Sequence, residues 1–106
     1  MNKTIWLSFD IAIRGDLEGL YAWLDSHGAK ECGTSLAVLK YPDTGNLIEE
    51  LRKDLEENVA LEKNDRVYVT YQNPDGKVVG KFIFGKRKGD PWKGYGPQGA
   101  DEDDSD

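Results

Sequence analysis

The chain has 106 residues with 14 basic and 20 acidic side chains, a net charge of -6, one histidine and one cysteine. That length holds one hydrophobic core and excludes a second domain, and the lone Cys32 excludes an internal disulfide or a cysteine-based zinc site. No apolar run approaches the roughly 18 residues needed to cross a bilayer, and Met1-Asn2-Lys3 leads straight into an alternating pattern, so the expectation is a cytoplasmic chain with no membrane association.

Over residues 3–11, Ile5, Leu7, Phe9 and Ile11 alternate with Thr4, Trp6, Ser8 and Asp10, the period of a strand with one apolar face. Arg14-Gly15-Asp16 breaks the strand, and Asp16 is placed to cap a helix whose apolar stripe is Leu17, Leu20, Tyr21 and Leu24, closed by Gly28. Residues 30–41 are extended, and Gly33 bends or bulges them into one long strand or two short ones. Pro42-Asp43-Thr44-Gly45 is a turn with Thr44 as candidate cap. Leu47, Ile48, Leu51 and Leu55 then stripe a second helix, which fades by Asn58. The β-branched and aromatic runs 66–71 and 77–84 flank Asn73-Pro74-Asp75-Gly76, whose turn chemistry predicts a hairpin.

This order predicts an α+β domain over residues 1–88, with two helices on one face of an antiparallel sheet. If Gly33 splits the extended segment, the arrangement is ferredoxin-like with an added C-terminal strand. Residues 89–100 read as an irregular Gly/Pro/aromatic segment, and the acidic tail 101–106 as disordered. The sheet face away from the helices carries Trp6, Ser8, Asp10, Tyr68 and Thr70. It is too aromatic to be left bare, and a symmetric homodimer through Trp6, Ser8 and Tyr68 is the expected cover.

Charge falls in blocks. Residues 77–93 hold Lys77, Lys81, Lys86, Arg87, Lys88 and Lys93 against Asp90 alone, while the tail holds five acids. Lys81, Lys86, Arg87, Lys88, Trp92, Lys93 and Tyr95 interleave positive charge with aromatic rings, a composition that contacts phosphates and stacks on bases. The plainer reading is that Trp92 and Tyr95 close the hydrophobic edge while the lysines keep an edge strand from aggregating. RNA on the aromatic sheet face is a further reading. The single His27 sits where it meets the negative end of a helix dipole, Cys32 reads as a buried or semi-buried, inert thiol, and the acids of the second helix read as a solvated face.

The stretches Leu7-Ser8-Phe9-Asp10-Ile11, Trp23 to Lys30, Thr34-Ser35-Leu36-Ala37-Val38 and Lys63 to Val69 resemble, in order and spacing, the small ferredoxin-like proteins of the CRISPR-associated endoribonuclease, virulence-associated protein D and SinR-like group. The resemblance covers residues 4–72. It implies that Asp10, at the end of the first strand, meets its symmetry mate across a dimer axis and binds Mg²⁺ or Mn²⁺ for phosphodiester cleavage. The chain departs from that pattern in its first helix, which has Asp16, Glu18 and Asp25 and no Lys or Arg, and in Ser35 to Leu39, which lacks the aromatic and acidic residues that often follow the serine. An aspartate at a strand end also serves as a turn or capping residue.

Three functions follow in order of preference. The first is a dimeric interaction or regulatory protein without catalytic activity or cofactor, with a protein partner and a place near mobile-element or defence systems. The second is a metal-dependent nuclease using Asp10, and the third is a non-catalytic nucleic-acid binder using the strip 77–93.

Overall fold

A computed structural model describes residues 1–97, so the acidic tail 101–106 and the last residues of the irregular segment lie outside the described residues. The elements run β1 (Asn2–Asp10), α1 (Leu17–Ser26), β2 (Lys30–Gly33), β3 (Leu36–Pro42), α2 (Leu47–Asn58), β4 (Arg66–Gln72) and β5 (Val78–Phe84). The five strands form one antiparallel sheet in the order β2-β3-β1-β4-β5. The extended segment is divided by a turn at Thr34-Ser35, which makes β2 and β3 a hairpin. Gly33 marks only a register shift against Glu31 at the end of β2, and Cys32 on this edge strand is exposed instead of buried.

Strand alternation decides which side chains meet the helices. Ile5, Leu7 and Phe9 of β1, Ala37, Leu39 and Tyr41 of β3, and Val67 and Val69 of β4 are buried in one core with Leu20, Trp23 and Leu24 of α1 and Leu47, Leu51 and Leu55 of α2. The stripe on α1 differs from the one its sequence suggests, because Leu17 is 38% and Tyr21 50% exposed while Trp23 is 4%. The buried line runs Leu20-Trp23-Leu24 and continues to half-buried His27, which shifts the contact face around the helix. Tyr21 still flanks the core, meeting Phe9 edge-on with ring centroids 6.3 Å apart. Asn46, not Thr44, occupies the cap position of α2, and the Thr44 hydroxyl donates instead to Glu50 Oε2.

Two aspartates tie the loops at one end of the sheet. Asp65 is fully buried. Its Oδ1 accepts from Ala12 N at 2.7 Å and its Oδ2 from Glu62 N at 2.7 Å, joining the β1–α1 loop to the α2–β4 loop. Asp16 caps α1 as expected, accepting from Gly19 N at 2.9 Å, and its second oxygen accepts from Ala60 N at 2.9 Å. The bond from Ala60, then that from Gly19, holds the Asp16 carboxyl below its ordinary value of 3.8. A carboxylate with a depressed folded-state pKa adds stability above its unfolded value and loses it as pH falls through the folded value. The melting-temperature gap between wild type and Asp16→Asn is therefore expected to narrow as pH falls from about 5 to about 2. Thermal melts across that range check this, and a constant gap would overturn it.

At the other sheet edge, β5 carries a bulge between its pairings with Val67 and Tyr68. The extra residue is Ile83. It is buried, its neighbour Phe84 packs against the same core, and its carbonyl accepts from Arg52 Nε of α2 at 2.9 Å. A bulge takes a residue out of the ladder, and here a side chain from the helix layer bonds that residue's carbonyl.

Candidate functional site

The face of the sheet away from the helices is built from the alternate positions of the same strands. Register places Ser8 beside Leu36 and Tyr68, Tyr68 beside Phe82, Trp6 beside Val38 and Thr70, and Thr70 beside Gly80. Lys40 pairs with Thr4 and Lys30 with Val38, so both lysines share this face, as does Arg66 opposite Asp10. Lys30, Lys40 and Arg66 thus stand against the single acid Asp10 on these strands, and Arg87 joins them from the segment after β5. The helices are charged the other way: Glu18 and Asp25 on α1, and five acids against Arg52 and Lys53 on α2. A net-acidic chain therefore presents one basic, aromatic surface.

Trp6 is 40% exposed and Ser8 is exposed, while Tyr68 and Phe82 are half-buried. The rings of Tyr68 and Phe82 meet edge-to-face, centroids 4.8 Å apart at 76°. Tyr68 lies across Gly80, where a Cβ would overlap the tyrosine hydroxyl and ring, so the absent side chain is what lets the ring rest on the sheet. The Arg87 guanidinium stands 6.0 Å from the Phe82 ring centroid, within cation–π range. Asp10, Arg66, Tyr68, Phe82, Arg87 and Trp92 border a groove of about 420 Å³.

The basic-aromatic residues of the sequence do not all gather here. Arg87 and Trp92 reach the groove, but Lys81 pairs with Val69, whose side chain is in the core, so alternation puts Lys81 on the other side of β5 from Phe82. Lys88 Nζ donates to Asn64 O at 3.2 Å, and Lys86 and Lys93 are exposed on the same irregular segment. Trp92 is 70% and Tyr95 88% exposed, so neither ring closes the hydrophobic edge.

Asp10 stands at the end of β1 on the open face, where Arg66 Nη2 donates to its Oδ2 at 2.7 Å and Arg66 Nε donates to the same oxygen at 3.3 Å. The Asp10 carboxylate thus already has a guanidinium partner, with which a divalent metal would have to compete. Among the described residues, no three His, Cys, Asp or Glu side chains are grouped so as to hold a metal ion.

A second polar cluster, on the helix side, escaped the sequence. Asp54 Oδ2 accepts from Tyr41 OH at 2.8 Å and Trp23 Nε1 at 3.2 Å, and lies 3.8 Å from His27 Nε2. His27 stacks on Trp23 with ring centroids 4.2 Å apart. Burial first, then the hydrogen bond and charge of Asp54, hold the Tyr41 hydroxyl well above the usual tyrosine range. It therefore stays a proton donor to Asp54 at neutral pH. The cluster fastens the end of α1 to β3 and α2, so one residue of the supposedly solvated acidic face of α2 is an internal acceptor.

No family model matches the chain, and no curated protein or solved structure was found to be similar to it. Among the described residues no helix is long and apolar enough to cross a membrane.

Proposed function

We propose that this chain is a non-catalytic interaction protein of ferredoxin-like frame that binds a polyanionic partner on the open face of its sheet. What carries the reading is the segregation of charge: Lys30, Lys40, Arg66 and Arg87 stand on the open face among exposed rings, while the acids of α1 and α2 lie in the helix layer. The frame is supported by the order β2-β3-β1-β4 of the first four strands, with α1 and α2 as the two crossovers and β5 added outside β4. A second copy is a poorer occupant. A two-fold axis through this face would turn the same basic patch of each protomer toward its mate, and like charges facing one another oppose association. The ion pair of Asp10 with Arg66 favours binding over the metal-dependent cleavage that the nuclease resemblance implies.

Long-chain polyphosphate supplies charge without bases or side chains. Full-length protein is expected to bind it at low salt with an affinity that falls as salt rises, and Lys40→Glu with Arg87→Glu is expected to weaken binding about tenfold or more. Unaltered binding by that double variant would overturn the assignment of the face. Single-stranded RNA incubated with Mg²⁺ or Mn²⁺ is expected to stay intact, and metal-dependent cleavage lost in Asp10→Ala would replace this reading with the nuclease one.

A further inference from the structure

The same face carries more than charge, and its rings narrow the chemistry of the occupant. From the groove the aromatic path runs Trp92, Phe82, Tyr68 and then Trp6, two residues back along β1 from Ser8, roughly 7 Å at strand rise. Resting the Tyr68 ring on Gly80 and meeting Phe82 edge-on fixes the tyrosine without a covering layer. Trp92 stands 70% exposed beside Arg87 at the rim. At about 420 Å³ the groove is within the roughly 300–1,000 Å³ range of small-molecule sites.

Building on the polyanion reading, we infer that this groove seats an unpaired base of a single-stranded nucleic acid. The base stacks against the Phe82–Tyr68–Trp92 rings, and its backbone phosphates run past Arg87 toward Lys40 and Lys30. Two properties of the surface require this combination. Beside the Asp10–Arg66 ion pair, Lys30, Lys40 and Arg87 give the face a positive charge, which polyphosphate, an acidic peptide or a nucleic acid would each satisfy. The open rings, Trp92 above all and then Trp6, with the half-exposed parts of Tyr68 and Phe82, are left over by the first two and used by the third, because every base has a π-face. A duplex hides its base faces within the stack, so the surface selects single strands, loops or frayed ends.

Three fluorescently labelled oligomers of equal length separate the possibilities by anisotropy with the full-length chain: a mixed-sequence single-stranded RNA, its duplex, and a base-free sugar-phosphate chain. The single strand is expected to bind about tenfold more tightly than the base-free chain, given stacking of ~1–3 kcal/mol per base, with the duplex near the base-free level. Trp92→Leu is chosen because the ring is exposed and the change leaves the core alone. It is expected to bring the single strand most of the way to the base-free affinity while leaving the base-free chain unaffected, and Phe82→Leu to complete the loss. Equal, salt-sensitive binding of all three oligomers would overturn the base-stacking inference while the polyanion reading stood. Binding of none of them or of polyphosphate would overturn both. If the chain then sediments near twice 11.9 kDa, and Trp6→Glu makes it monomeric, the face is a self-interface instead.

Discussion

Asp65→Ala is expected to lower stability by about 3 kcal/mol, a fall of roughly 10–20 °C in melting temperature for a domain of this size. The residue has no exposed surface, and its two oxygens are the acceptors for Ala12 N and Glu62 N, each at 2.7 Å. Hydrogen bonds to a charged group are worth ~1.5–3 kcal/mol each, net of desolvation, and alanine would leave both backbone donors without an acceptor inside the loop pair. Asparagine keeps one acceptor oxygen for two donors, so Asp65→Asn should fall between alanine and wild type. Thermal or urea unfolding of the three proteins measures this order. An alanine variant that melts with the wild type would show that the loops hold without the carboxylate. Because total stability of such domains is about 5–15 kcal/mol, the loss is large enough to show at physiological temperature.

Much of the frame was legible because it depends on periodicity and turn chemistry, which act locally. The Ile5-Leu7-Phe9 alternation, the Asp16 cap and the Asn73 to Gly76 turn all stand where the sequence puts them. The sequence misleads where a residue's role is set by partners far along the chain. Nothing adjacent to Asp65 announces that it accepts from Ala12, 53 residues away, and Asp54 sits among acids that do face solvent. The spacing on α1 predicts a stripe of Leu17, Leu20, Tyr21 and Leu24; Leu20 and Leu24 are buried, but the packed helix turns Trp23 inward and Leu17 and Tyr21 out. For the candidate site, alternation correctly put Trp6, Ser8, Asp10 and Tyr68 on one face. Grouping Lys81 with Arg87 by nearness in sequence failed, since the two sides of a strand are separated by the sheet itself. Phe82, Arg66, Lys30 and Lys40 join the face only through register, although period-2 counting along β3 and β5 contained the signal for Lys40 and Phe82.

Gly85 links the stability of the frame to the placement of the groove, and Gly85→Ala is expected to damage both. The residue ends β5 at φ +80°, and a Cβ there would fall 2.5 Å from Asp65 O and 3.1 Å from Arg66 Cα. Left-handed backbone costs an L-residue ~1–2 kcal/mol, and the contacts with Asp65 O and Arg66 Cα are with backbone that is held between β1 and β5, so it yields only by moving the strand. Overpacking of this kind adds ~1–3 kcal/mol, for a combined loss of about 3 kcal/mol. Gly28 gives the control: it ends α1 at φ +67° with nothing within 4 Å of a Cβ, so Gly28→Ala carries the backbone cost alone, about 1 kcal/mol. Arg87 follows Gly85 by two residues and owes its place over Phe82 to that turn, so relieving the clash shifts the guanidinium away from the groove. Unfolding measurements should therefore rank wild type above Gly28→Ala above Gly85→Ala, with the Gly85 variant alone also losing affinity for single-stranded RNA under conditions where it remains folded. Equal destabilisation by the two substitutions would mean that the chain has room at Gly85, and that Arg87 is not positioned by the close passage of β5 over Asp65.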